Sequence, residues 1–172
     1  MDATFGVASE TGVLRRVLLH KHVGFQEVPE TNQYVADLLR LVPGLTLVET
    51  DYLAPGHMCS ALASVPAAGR DVARRLCEDA RGAGVEEVAT VFHSCQRLLC
   101  ALEESEPFRV VNYVALLGAA MGRSYPDEYR DWKLAGSEAE IRERVGAERI
   151  ARMGERMFET GLLPELKRRP EK

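Results

Sequence analysis

The stretch VEEVATVFHSCQRLLC, residues 85–100, decides the fold that we predict for this chain. Its first half is a short apolar run rich in β-branched residues, which predicts a buried strand, and its second half begins a helical pattern. His93 and Cys95 lie between the two, at the carboxyl end of the strand. Ligands bind at this end of open α/β sheets, because loops from neighbouring strands converge there beside helix N-termini. The stretch therefore predicts a strand and a helix with two metal-competent side chains between them.

Similar strand and helix patterns alternate along the rest of the chain. Further strands are predicted at residues 15–19, 45–49 and 108–113, and helices at 29–41, 67–83 and 114–122, after a loose lead-in at 1–13. Parallel neighbours need crossover connections, usually helices. The alternation therefore predicts an α/β fold, with a single open sheet of about four mainly parallel strands flanked by helices.

The composition changes after Gly122, where Arg and Glu become frequent and an apolar stripe recurs at helical spacing. We expect residues 14–122 to form the α/β domain and residues 123–172 an amphipathic helical C-terminal extension packed on the same domain. The stripe consists of Ile141, Val145, Ile150, Met153 and Met157.

Length, charge and cysteine usage exclude several classes of function. A chain of 172 residues with 46% hydrophobic residues is long enough for one well-buried core. A net charge of -4 gives no basic surplus for nucleic acid, and no apolar run reaches the roughly 20 residues of a membrane span. The four cysteines are few for a secreted domain, and the N-terminus lacks the pattern of a secretion signal. We therefore expect a cytoplasmic protein whose cysteines are reduced thiols or metal ligands.

Every histidine in the chain falls in one of three clusters, each close after a predicted strand. In an extended segment residues i and i+2 project to the same side, so each cluster presents two side chains together. Imidazole and thiolate ligands favour zinc or iron over calcium or magnesium. If the strand ends are adjacent, six candidates surround one crevice, which is more than a tetrahedral site requires. The candidates are His20, His22, His57, Cys59, His93 and Cys95.

Other interpretations of the same residues stay open at this point. A histidine at a strand end often only hydrogen-bonds a loop carbonyl, and a free cysteine is commonly a small buried hydrophobe. Cys77 and Cys100 lie within helical patterns and are interpreted as core residues. Cys95 and His93 also satisfy the first requirement of a nucleophile and base pair, although no third residue is identified to orient the base.

The order of these motifs resembles one copy of the cysteine-rich CCG domain, which occurs in heterodisulfide reductases and in glycolate oxidase iron–sulfur subunits. The resemblance covers residues 14–160. It is carried by RRVLLHKHVGF, VPGLTLVETDYLAPGHMCSALA, GAGVEEVATVFHSCQRLL and FRVVNYVALLGAAMG. Family ligands follow the first three strands as a cysteine, a Cys-Cys-Gly and a Cys-Pro-x-Cys. Cys59 matches the second cysteine of the pair and Cys95 the last cysteine of the third motif.

The rest of the family's ligand set is replaced in this chain. Val23, or His22 by a shift of one residue, stands at the first cysteine, and Met58 replaces the first member of the pair. Phe92 and His93 replace Cys-Pro. Two thiolates alone do not hold the family's cluster.

The resemblance implies an oxidoreductase subunit of a heterodisulfide reductase-like redox complex. We expect an iron–sulfur cluster or a single iron or zinc ion with mixed His/Cys ligation, as Rieske centres allow. Since this chain has no ferredoxin-like cysteine run, a protein partner carrying conventional iron–sulfur clusters or flavin is implied. The alternative is a degenerate, non-catalytic CCG-like subunit that serves assembly or partner interaction.

Overall fold

A four-stranded parallel sheet forms the centre of the fold. The computed structural model describes residues 15–25, 28 and 30–170. The strands are β1 (Arg15–His20), β2 (Leu45–Val48), β3 (Glu87–Thr90) and β4 (Arg109–Asn112), in the order β2-β1-β3-β4. The predicted α/β fold with one open sheet is confirmed.

The strand order places a topological switch point between β1 and β3. Leu18 of β1 pairs with Val48 of β2 on one side and with Val88 of β3 on the other. The chain therefore leaves β1 in one direction and crosses back over it to form β3. At such a point the loops after the two strands diverge to opposite faces and leave a crevice between them.

Helices cover both faces of the sheet, and the alternation of side chains along β1 decides which helix contacts which residue. Val17 and Leu19 pack with α1 (Thr31–Arg40) and α4 (Tyr113–Ala120). Leu18 points to the other face.

The face of Leu18 is covered by α2 (Pro66–Ala83) and α3 (His93–Leu99). Leu76 and Leu99 from these helices pack against Leu18 in one buried cluster. His20 has the same parity as Leu18, and it therefore projects toward the α2/α3 face at the end of β1.

Two short 3-10 helices flank the sheet, the first near its carboxyl end and the second near the start of β4. One, Cys59–Leu62, follows the loop after β2, and the other, Cys100–Glu104, continues directly from α3. β3 is shorter than its apolar run, because Val85 closes the turn after α2 by donating its backbone N–H to Ala80.

The C-terminal region is helical, as predicted, but it is broken into short segments. Gly146 and Gly154 have φ of 86° and 93°, which a helix cannot contain. The segments are α5 (Glu128–Lys133), α6 (Glu138–Val145), α7 (Ala147–Met153), α8 (Glu155–Met157), a π-helical turn at Phe158–Leu162, and α9 (Leu163–Lys167).

Three of the five residues of the predicted apolar stripe are buried. Ile141, Val145 and Ile150 are buried in a cluster that the C-terminal segments form among themselves. Met153, the last residue of α7, and Met157, the last residue of α8, are 41% and 60% exposed and do not belong to this cluster.

Ion pairs connect the C-terminal segments to the sheet region. Arg130 of α5 forms an ion pair with the nearly buried carboxylate of Glu103, and Arg97 of α3 pairs with Glu165 of α9 at 2.8 Å.

Among the described residues, no helix is both long and apolar enough to span a membrane. The predicted lead-in at 1–13 and Pro29, the predicted start of the first helix, lie outside the described residues.

Candidate metal centre

Two histidines reach the centre from the end of β1. His20 is the last residue of the strand, and His22 forms an isolated parallel bridge with Ala54 in the loop after β2. Backbone hydrogen bonds from Val23 to Ala54 and from Ala54 to Lys21 fix this bridge at 3.0 Å each. The extended backbone puts both imidazoles on the same side and brings the second loop beside them.

Two cysteines complete the group from the other two loops. Cys59 begins the 3-10 helix after β2, and Cys95 lies in the first turn of α3. The backbone N–H of Cys59 donates to Cys95 Sγ at 3.2 Å, which joins the second and third loops. His20, His22, Cys59 and Cys95 are all buried, with no more than 4% of any residue exposed.

The four donor atoms lie within 4.8 Å of one another. His20 Nε2 and His22 Nε2 are 3.2 Å apart, and Cys59 Sγ is 3.3 Å from His22 Nε2 and 3.5 Å from His20 Nε2. Zinc bonds of about 2.0–2.1 Å to nitrogen and about 2.3 Å to sulfur separate tetrahedral donors by about 3.4 Å for two nitrogens and about 3.6 Å for nitrogen and sulfur. The three distances among His20, His22 and Cys59 match these values, and Cys95 Sγ lies within 4.8 Å of the other three atoms. This group could therefore hold a metal ion.

The protonation of the group also suits metal binding. A hydrogen bond between the two thiols lowers the pKa of Cys95 well below its usual range and raises the pKa of Cys59. Burial lowers the pKa of His20, so its imidazole is neutral at pH 7. Cysteine binds a metal as the thiolate, and histidine binds it as the neutral imidazole. The pKa shifts of Cys95 and His20 therefore favour the forms that bind a metal.

A backbone carbonyl and a side-chain amide hold His22 in position. Its Nδ1 lies 3.2 Å from the carbonyl oxygen of Pro55, and the Asn32 side chain donates to the backbone carbonyl of His22 at 2.6 Å. A proton on Nδ1 that is donated to Pro55 leaves the Nε2 lone pair directed at the other ligands. Metal-binding histidines usually have such a second hydrogen bond. The sequence does not reveal this support, because a backbone carbonyl leaves no signal in residue type.

The other two candidate histidines do not lie in this group. His57 is half-buried and its ring stacks on Phe25, with 4.6 Å between ring centroids. His93 is exposed at the first position of α3. The expectation that residues i and i+2 project to the same side is wrong for His57 with Cys59 and for His93 with Cys95. Cys59 and Cys95 belong to helical turns and not to extended segments.

Cys77 and Cys100 are core residues, as expected. Both are buried, and Cys100 donates a weak hydrogen bond to the Arg97 carbonyl at 3.7 Å. Burial raises the pKa of Cys100 to about 12, which keeps this thiol protonated and unreactive. None of the four cysteines, all of which lie within the described residues, forms a disulfide.

Comparison of the chain with models of protein families, with curated proteins and with solved structures finds no match.

Proposed function

We propose that this protein is a metal-binding α/β domain that holds one zinc-like divalent ion at its sheet switch point. The ligands are His20, His22, Cys59 and Cys95. The observation that carries the proposal is the mutual spacing of four buried donor atoms, all within 4.8 Å. A site with four protein ligands and no exposed position has the form of a structural zinc site, whereas catalytic zinc keeps a position open for water or substrate.

Charge supports a divalent ion. Two thiolates and two neutral imidazoles carry a total charge of -2, which one divalent cation neutralises. A buried charge is costly unless it is paired. A loaded centre is therefore neutral in a part of the molecule where every ligand is buried.

The spacing favours a single ion over a two-iron cluster. In a Rieske centre two histidines bind one iron and two cysteines bind the other, so the cluster separates imidazole from thiolate. Here His22 Nε2 and Cys59 Sγ are 3.3 Å apart, which suits two ligands of the same ion.

A second candidate is the redox role that the CCG resemblance implies. On this proposal the domain binds iron and acts as an oxidoreductase subunit of a heterodisulfide reductase-like complex, beside a partner that carries conventional iron–sulfur clusters or flavin. It is supported by the convergence of the loops after β1, β2 and β3, where the family has its ligands. The degenerate subunit, which binds no metal and serves assembly, is the remaining alternative.

Metal analysis and the visible spectrum of anaerobically purified protein test these proposals. We expect one zinc per chain, no visible absorption, and loss of the metal in Cys95→Ser. His93→Ala is the matched control, because it changes a candidate ligand two residues away that lies outside the group, and it should retain full metal content.

Each of the other outcomes would contradict the zinc proposal or its ligand set. Stoichiometric iron with sulfur-to-iron absorption would support the redox subunit and contradict the zinc proposal. Folded protein that contains no metal and takes up none from added Zn²⁺ would contradict both and leave the assembly role. Metal loss in His93→Ala with retention in Cys95→Ser would show that the ligand set is wrong.

A further inference from the structure

A cleft of about 310 Å³ lies beside the candidate metal centre, between the 3-10 helix Cys59–Leu62, α3 and the C-terminal end of the chain. Part of its wall is aliphatic, formed by Leu62, Val72 and Leu98. Small-molecule sites are concave and mainly apolar, with a few polar groups that orient the ligand. The cleft has the volume and the aliphatic wall of such a site.

The polar part of the wall has an excess of positive charge. Arg97, Lys133 and Arg168 line the cleft, and Glu165 is its single lining carboxylate. Glu165 is already engaged by Arg97, at 2.8 Å, and by the Tyr129 hydroxyl, at 3.1 Å. Across the described part of the chain, the exposed guanidinium of Arg168 forms no ion pair. An anion in the cleft would therefore meet cations that the protein does not neutralise.

Lys133 is an unusual cation, because only 1% of the residue is exposed. Its Nζ donates to the backbone carbonyl of Glu165 at 2.8 Å, and this is one bond for a group with three donors. Buried ammonium groups are costly unless they are paired. A negatively charged group beside Lys133 would remove part of that cost.

Two further polar atoms at the cleft are buried without a partner. Ser94 Oγ and Arg97 Nε make no hydrogen bond, although both are inaccessible to solvent. Most buried polar atoms in folded proteins have a partner, and leaving one unsatisfied is unfavourable. Both residues line the cleft, so a ligand with acceptor oxygens would satisfy these unpaired atoms once the two side chains turn toward it.

We propose that this cleft binds a small organic anion, a carboxylate or phosphate monoester with a short aliphatic tail. The anionic head contacts Lys133, Arg168 and Ser94, and the tail packs against Leu62, Val72 and Leu98. Cys59, a proposed metal ligand, also lines the cleft, but none of the residues assigned to the head group or the tail belongs to the proposed ligand set.

Calorimetric titration of the full chain with three six-carbon probes tests the charge requirement. Hexanoate and hexyl phosphate differ in the anionic head and have aliphatic tails of about five and about six carbons, and hexylamine has the hexyl tail with a cation. We expect saturable one-to-one binding of at least one anion and none of hexylamine. The anion that binds with the higher affinity identifies the head group that the cleft prefers. Equal binding of hexylamine, or no saturable binding of either anion, would overturn the proposal.

Two arginine variants test the location. Arg168→Gln should weaken binding of the anion by roughly tenfold, since one charge-assisted hydrogen bond is lost. Arg123→Gln, at an exposed arginine away from the cleft, should bind as the unchanged protein does. Backbone amide shifts on titration should change at Ser94 and Arg97. Changes confined to the separate apolar groove around Leu41 and Met121, or equal affinities of the two variants, would contradict the assignment.

Discussion

At the scale of single residues, Lys133 shows how burial acts on a cation in this protein. The residue is 1% exposed, and its Nζ lies 5.9 Å from the centre of the Tyr129 ring. Burial lowers the pKa of Lys133 to about 8, and the positive charges of Arg169 and Arg168 act in the same direction. The folded protein therefore holds this proton less tightly than the unfolded chain does.

This difference predicts how the stability depends on pH. The folded pKa is about 8, and the unfolded pKa of a lysine is about 10.4. Between these values the unfolded chain binds the proton and the folded protein does not, so stability rises with pH through this window. The Lys133→Met variant has no titrating group at this position, so its stability lacks this dependence on pH. The free energy of unfolding of the unchanged protein minus that of Lys133→Met should therefore be larger at about pH 10 than at about pH 7.

Urea unfolding of both proteins in the presence of a chelator measures this difference. The comparison cancels the alkaline titration of the cysteines and of the other lysines, which the two proteins share. A difference that stays constant from pH 7 to pH 10, or one that falls, would contradict the predicted shift.

At the scale of elements, α2 has defined start and stop signals in the sequence. Pro66 occupies its first turn, where no intrahelical N–H is needed, and Gly84 ends it in the left-handed conformation with φ of 59°. The Gly84 backbone N–H donates to the Ala80 and Arg81 carbonyls and caps the last turn. This termination returns the chain to the sheet at β3, and it thereby sets the position of Cys95 beyond that strand.

Two glycines in the same stretch give a matched pair of substitutions. Gly84→Ala should destabilise the fold by about 1 kcal/mol, because a side chain in the left-handed region costs about 1–2 kcal/mol and reduced freedom of the unfolded chain offsets part of that cost. Gly82 lies within α2 with no positive φ, and a Cβ added there would meet no other atom within 4 Å outside the backbone of the helix. Gly82→Ala should stabilise the fold by up to about 1 kcal/mol.

Urea unfolding monitored by circular dichroism measures both variants. Opposite signs are expected although the positions are two residues apart. Equal effects would show that helix propensity, and not the backbone conformation at Gly84, governs the end of α2.

At the scale of the whole molecule, the candidate centre joins three segments that are distant in the chain. His22 Nε2 lies 3.3 Å from Cys59 Sγ across 37 residues, and Cys59 N lies 3.2 Å from Cys95 Sγ across 36. A bound ion would connect the ends of β1 and β3 to the loop after β2. An ion that binds only the folded state stabilises that state by mass action.

Chelation should therefore destabilise the whole fold. At a free metal concentration about 100 times the dissociation constant, the stabilisation is about 2.7 kcal/mol, and it should disappear when a strong chelator is added. Cys95→Ser should have a lower melting temperature than the loaded protein and should not respond to the chelator. Differential scanning calorimetry measures both. An unchanged melting temperature on removal of bound metal would show that the centre does not support the fold.

The sequence by itself determined the fold class and most of its elements. The apolar runs around Val88 and Leu18, with amphipathic helical patterns between them, require a layered structure in which a parallel sheet is covered on both faces. It also placed the candidate ligands in the loops after the strands. Hydrophobic periodicity and turn residues are local properties, so they can be read without knowledge of tertiary contacts.

Only the tertiary structure decided which candidates belong together. The six candidate ligands looked equivalent in the sequence, and the structure brings together His20, His22, Cys59 and Cys95. His57 and His93 project elsewhere, because the local backbone after β2 and β3 is helical and residues two apart then point in different directions. The cleft around Lys133 was also missed. Its walls come from four separate parts of the chain, at residues 59–72, 94–99, 133 and 165–170. The Arg97–Glu165 ion pair and the Lys133–Glu165 hydrogen bond join three of these parts.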